Sequence, residues 1–184
     1  NLLVNTMLAT GEGTGAVSWL NYAFRLMYLP IGLLGVSVAT AAIPEISRLA
    51  AKEDLPGMRT AISRGLRLIL VLNIPAMVGL MVLARPIVAL IFEHGRFTPE
   101  DTQATAMALV FYAPGLMGYS AVKIAAPSFY ALKESRTPVV VSVLTMAVNV
   151  ALNVTLVHWL GYRGGARGTG LAALFNATLL LTLL

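Results

Sequence analysis

The chain has 184 residues, 58% of them hydrophobic and only 11% charged, with a mean hydropathy of +0.80. A soluble domain carries about 25% charged residues, so a water-facing globule is excluded and the predicted solvent is lipid. The net charge of +5 comes from basic residues in short loops between apolar runs, which fits membrane topology better than a nucleic-acid face, and the lack of cysteine excludes disulfides and thiolate metal sites.

Six helical spans are predicted, because a helix satisfies its own backbone polar groups in lipid. The first, about 1–10, is the tail of a span and ends at "GEGTG". The second, about 15–48, would be about 50 Å long at helical rise, against a hydrocarbon core of roughly 30 Å. Pro30 removes one of its backbone bonds and is the predicted bend. A polar connector, "RLAAKEDLPGMRTAISRGLR", leads to the third span, about 66–84, and "RPIVALIFEHGRF" closes that hairpin. The fourth, 99–132, opens with Thr98 as N-cap, Pro99 in the first turn and acids at the positive helix end; Pro114 and Pro127 interrupt it. The fifth covers about 137–160 and the sixth about 165–184. Both ends of the chain fall inside apolar runs, so it reads as an internal fragment forming one all-α transmembrane domain.

Orientation follows from the basic residues. Arg48, Lys52, Arg59, Arg64, Arg67, Lys133 and Arg136 lie on one side; Arg85, Arg96, Arg163 and Arg167 lie on the other. Seven against four places the 48–67 connector in the cytoplasm.

Two cations fall inside predicted spans, Arg25 and Lys123. A charge near the centre of a membrane helix costs at least about 2.5–3.5 kcal/mol on insertion scales. Ser18, Asn21, Tyr22 and Tyr28 share the helix face of Arg25, while Leu20, Ala23, Leu26 and Met27 form the opposite one. Arg25 either faces an anion in a cavity, or snorkels to the interface or pairs with a structural carboxylate. Lys123, with Tyr119 and Ser120 one turn before it, carries the same two readings. Ser142, Thr145, Asn149 and Asn153 line one face of the fifth span, and Thr169 and Asn176 one face of the sixth. Such groups bond across helices as glue or offer oxygens to a desolvated Na⁺. His94 and His158 are isolated, and no HExxH, GxSxG or P-loop pattern occurs, so nothing points to an enzyme.

"GAVSWLNYAFRLMYLPIGLLGVSVATAAIPEISRLA", "IFEHGRFTPEDT", "YSAVKIAAPSFYALKESRTPV" and "GTGLAALFNATLLL" resemble, in order and spacing, the MurJ/MviN family of lipid II flippases. The resemblance covers essentially the whole chain. It implies most of the C-terminal lobe of a two-lobe exporter fold of the multidrug/oligosaccharidyl-lipid/polysaccharide superfamily, around a cationic cavity. It further implies a multi-pass protein of the bacterial inner membrane that moves undecaprenyl-diphosphate-linked muropeptide outward by alternating access. Surrounding lipid and other cell-wall synthesis proteins are the implied partners. By position, Arg25 matches the family's required arginine, expected to engage the diphosphate, Ser18 a cavity-lining serine and Lys123 a basic position; Asn21 and Tyr22, on the helix face of Arg25, complete the candidate substrate-binding set. Phe24 stands where many members place Asp. The family's Na⁺ site falls on Asn5, Asn149, Asn153, Gly165 (through its carbonyl) and Thr169, with its carboxylates replaced by Asn5 and Asn153. That replacement is expected to weaken Na⁺ binding, which leaves Na⁺, protons or the membrane potential as the coupling. The alternatives are export of another lipid-linked glycan or small molecule, and a scaffold that kept the fold without transport.

Overall fold

The structure, a computed structural model, describes residues 15–160 and 162–184, with side-chain surroundings for 15–153 and 168–184. The predicted first span, 1–10, lies outside the described residues. All regular structure among the described residues is helical.

Helix α1 (Ala16–Pro30) continues through a π-helical segment (Ile31–Val36) into α2 (Ser37–Ala51). Together they form a 36-residue apolar span of mean hydropathy 1.9. At Pro30, the predicted bend, the helix widens. Proline cannot donate to the carbonyl one turn back, and the backbone absorbs the lost bond by opening into the π-turns of residues 31–36. Gly35 in this segment lets Ser120 approach closely: a Cβ there would lie 2.9 Å from the Ser120 Oγ.

Helix α3 (Leu55–Val82) begins well before the apolar run at 66. The Asp54 carboxylate accepts from the Gly57 N–H at 2.9 Å, and Pro56 sits in the first turn, so the connector is mostly helix. Arg59, Arg64 and Arg67 ride on its early turns, and Arg64 reaches Glu45 of α2 at 4.0 Å. A short helix α4 (Ala84–Phe92) precedes α5 (Pro99–Tyr112), which Thr98 and Asp101 start with a full capping box. Between α5 and α6 (Gly115–Ala131) the axis turns by 48° at Pro114, whereas Pro127 stays inside α6. Helices α7 (Arg136–Leu160) and α8 (Tyr162–Leu183) complete the bundle.

Three apolar cores hold these helices together: α1 against α4 and α5, α2 and α3 against α6, and α6 against α7 and α8. Helices α6 and α8 cross through small residues, as membrane helices do where backbones pack closely. A Cβ on Gly118 would lie 2.5 Å from the Ala173 carbonyl, and one on Gly115 would lie 2.9 Å from the Gly170 Cα. The outer faces are apolar: Leu33 is 71% exposed, Val71 61% and Leu90 79%, which is tolerable only against lipid. Among the described residues three helices are long and apolar enough to span a membrane, and the bent α5–α6 pair makes a fourth.

Candidate functional site

Helix α1 builds the site by turning one face inward. Leu20, Ala23, Leu26 and Met27 are buried in the first core, the face the 3.6-residue period assigned to packing. Ser18, Arg25 and Tyr28 point outward and are exposed, and Asn21 and Tyr22 are half-buried at its edge. No carboxylate among the described residues lies within ion-pair distance of Arg25 or Lys123. The stripe is polar only from Ser18 to Tyr28; beyond Arg25 the same face carries the exposed Leu29 and Leu33. The polar track therefore leads from Arg25 toward the end of the bundle opposite the basic connector.

The members of the stripe differ in freedom. The Asn21 side-chain N–H donates to the Val17 carbonyl at 2.9 Å, so its oxygen is what it offers outward. The Tyr22 ring packs against Phe92 and Phe97 at centroid distances of 4.7 and 5.6 Å. Phe24, where an acid was the family expectation, is half-buried in an aromatic cluster, with Tyr28 at 4.9 Å, Tyr112 at 5.7 Å and Tyr119 at 6.2 Å. Tyr28 and Tyr119 meet at 6.3 Å and join the Arg25 face of α1 to the Lys123 face of α6. Lys123, one turn past Tyr119, is exposed. The Tyr28–Tyr119 contact thus links the helix that carries Arg25 to the helix that carries Lys123.

The second polar set is of another kind. Thr145, Asn149, Asn153 and Thr169 are buried where α7 meets α8, whereas Ser142 is exposed. The Asn153 amide donates to the Asn149 Oδ1 at 3.0 Å. A Cβ on Gly168 would lie 2.3 Å from the Asn153 Oδ1, so any larger residue there would displace the Asn153 amide. The Asn149 Nδ2 and Thr145 Oγ1 have no partner among the described residues. Asn5 and the surroundings of Gly165 lie outside the described residues.

Two features escaped the sequence reading. The Trp19 Nε1–H donates to the Asp101 Oδ1 at 2.7 Å, pinning α1 to the start of α5 across 82 residues. Asn73, fully buried in α3, has neither side-chain polar atom paired among the described residues. The signal for Asn73 was present, a lone amide inside "LILVLNIPAMV".

Apolar spans, one of them carrying a cation unpaired among the described residues, define a multi-pass helical membrane protein. The sequence model of the family described as lipid II flippase MurJ matches residues 1–184. The lipid II flippase MurJ of Burkholderia cenocepacia is 36% identical over 180 residues, covering 98% of this chain and 35% of that protein. A probable lipid II flippase MurJ of Vibrio cholerae is 37% identical over 180 residues, with 98% and 34% covered. A solved lipid II flippase MurJ in an inward closed conformation superposes with a TM-score of 0.89 at 30% identity, covering 98% of this chain and 38% of that one. The chain belongs to the lipid II flippase MurJ family and spans about a third of the length of the curated relatives it matches. With its apolar helices, this makes it part of a multi-pass protein of the bacterial inner membrane.

Proposed function

We propose that the whole protein moves lipid II, the undecaprenyl-diphosphate-linked peptidoglycan precursor, from the inner to the outer leaflet by alternating access, and that Arg25 binds its diphosphate. The observation that carries the reading is the exposed Arg25 inside a membrane span, with no carboxylate partner among the described residues. A guanidinium stays charged at every physiological pH and can bond phosphate oxygens bidentately. Its insertion cost of at least about 2.5–3.5 kcal/mol is offset when an anionic ligand supplies the missing partner. Lys123 adds a second positive point on the helix that the Tyr28–Tyr119 contact links to α1, and Ser18, Asn21 and Tyr22 line the track with hydroxyl and amide oxygens. The undecaprenyl tail stays in lipid throughout, against the exposed leucines and valines.

The test is complementation of a flippase-depleted strain by the full-length protein. Arg25→Ala at normal protein level is expected to support no growth, and Arg25→Lys, which keeps charge without the fork, to support slow growth. Normal growth of Arg25→Ala would remove the residue from the mechanism. Export of a small cation, by contrast, would call for acids along the track. The two there, Asp101 at its outer end and Glu93 behind it, are already bound, Asp101 to Trp19 and Thr98 and Glu93 to Thr102.

A further inference from the structure

The polar track does not end at Ser18. At the end of the bundle opposite the basic connector it opens into a cavity of about 420 Å³, within the ~300–1,000 Å³ of small-molecule sites. Its walls come from three segments: Ser18, Trp19 and Tyr22 of α1, Phe92 to Phe97 at the end of α4 and the following turn, and Asp101 of α5. We propose that this cavity is a second substrate station, which receives the anionic, sugar-bearing part of the headgroup while Arg25 holds the diphosphate. The inference rests on the flippase reading above and assigns a place to the part of the substrate that reading leaves unplaced.

Three properties argue for such a ligand. The first is a fixed aromatic floor. Tyr22 is held by Phe92 and Phe97, which lie 6.0 Å from each other, and Trp19 is locked by its bond to Asp101. Aromatic faces held in place at low entropic cost suit the apolar face of a pyranose ring, with hydroxyls such as that of Ser18 to meet its rim. The second is positive charge left free. Arg96 lines the cavity beside the His94 imidazole, and no carboxylate among the described residues pairs with Arg96. Of the acids nearby, Asp101, which lines the cavity, and Glu93 are hydrogen-bonded, and Glu100 is exposed in the first turn of α5. Asp101 accepts from Trp19 at 2.7 Å and from the Thr98 N–H and hydroxyl at 2.8 Å each, and Glu93 accepts from the Thr102 hydroxyl at 2.7 Å. The third is a turn built to place Arg96. Gly95 takes a left-handed φ of 64°, which lets "HGR" fold back over the aromatic floor.

Position completes the argument. Tyr22 and Ser18 precede Arg25 by one and two turns, so the cavity begins roughly 5–10 Å along α1 from the guanidinium. A disaccharide-peptide attached to the diphosphate can therefore sit in the cavity while Arg25 still holds the phosphates. Its peptide carboxylates would meet Arg96.

The experiment uses the full-length protein in detergent and two soluble probes, inorganic diphosphate and an N-acetylglucosaminyl-N-acetylmuramoyl peptide lacking both diphosphate and lipid. Affinities are read by calorimetric titration, with thermal unfolding of each variant checked alongside. Arg96→Ala is expected to weaken the disaccharide-peptide tenfold or more and diphosphate less than twofold; Arg25→Ala is expected to do the reverse. Tyr22→Leu, which keeps bulk but removes the aromatic face, is expected to weaken the disaccharide-peptide about fivefold. The station is overturned if the wild-type protein takes diphosphate but not the disaccharide-peptide, or if Arg96→Ala leaves disaccharide-peptide affinity within twofold. Failure of the flippase reading looks different: Arg25→Ala then leaves diphosphate affinity and growth unchanged.

Discussion

The lobe contains two polar regions that lipid should forbid, and it treats them in opposite ways. Along α1 a cation, Arg25, stands exposed among neutral polar groups and without a counter-ion among the described residues. On the face of α7 that meets α8 they are neutral and buried, and Asn153 donates to Asn149 within α7 at 3.0 Å. A buried amide pair meets part of its own hydrogen-bonding demand and stays out of lipid. A lone guanidinium does neither, so its free energy has to be recovered from something outside the lobe. On the proposed reading, the contrast separates polarity kept for ligand binding from polarity kept for packing.

The largest effect should come from reversing the charge on the open face. Arg25→Glu is expected to abolish growth in the depletion strain and to lower flipping in proteoliposomes at least a hundredfold, with protein level and thermal unfolding close to wild type. An unfolding temperature that falls together with activity would reassign Arg25 to packing and erase the contrast.

Next in size is the crossing that supports both regions. Gly118→Val places new atoms against the Ala173 backbone, which cannot move aside as a flexible side chain could. Overpacking of this kind costs about 1–3 kcal/mol and should appear as a lower unfolding temperature with reduced yield. In the buried seam, Asn149→Leu leaves the Asn153 amide without its acceptor, a loss of about 1–3 kcal/mol at most. Flipping per folded molecule should then stay within twofold of wild type. Lost flipping at an unchanged unfolding temperature would move the seam into the functional class.

The two regions were not equally legible in the sequence. The packed and open faces of α1 follow from helical period alone, because Leu20, Ala23, Leu26 and Met27 repeat on one side and Arg25 falls on the other. The i, i+4 spacing of Asn149 and Asn153 likewise foretold a shared face, but it could not distinguish Ser142, which shares that face and remains exposed. Helix ends were harder. Hydropathy detects lipid contact, not helicity, so residues 55–65 of α3, which carry Arg59 and Arg64, resemble a connector in sequence. The three prolines also look alike in sequence and act differently. Pro114 is followed by Gly115 and the axis turns 48° there, whereas Pro30 is absorbed by a π segment. Pro127 stays helical, beside a Ser128 hydroxyl that donates to the Ile124 carbonyl at 2.8 Å. The Trp19–Asp101 bond joins residues 82 apart, and no local pattern encodes it.

The smallest expected effect concerns sodium. A desolvated Na⁺ needs several converging oxygens, and the family pattern supplies two of them as carboxylates. Here Asn153 replaces one, its Nδ2 already donates to the Asn149 Oδ1, and the Asn149 Nδ2 presents a further donor rather than an acceptor. Amide N–H groups carry positive partial charge and repel a cation, so these two groups argue against Na⁺ at the seam. Replacing Na⁺ by K⁺ or choline is therefore expected to change flipping in proteoliposomes less than twofold, leaving the membrane potential or protons as the drive. Asn153→Asp sharpens the point, because it restores an anion at the seam without touching the Arg25 face. That variant is expected to acquire a stabilisation by Na⁺, visible as a sodium-dependent rise in unfolding temperature that the wild type lacks. A tenfold loss of wild-type flipping without Na⁺ would instead make the seam a cation site, and the two polar regions would then both be functional.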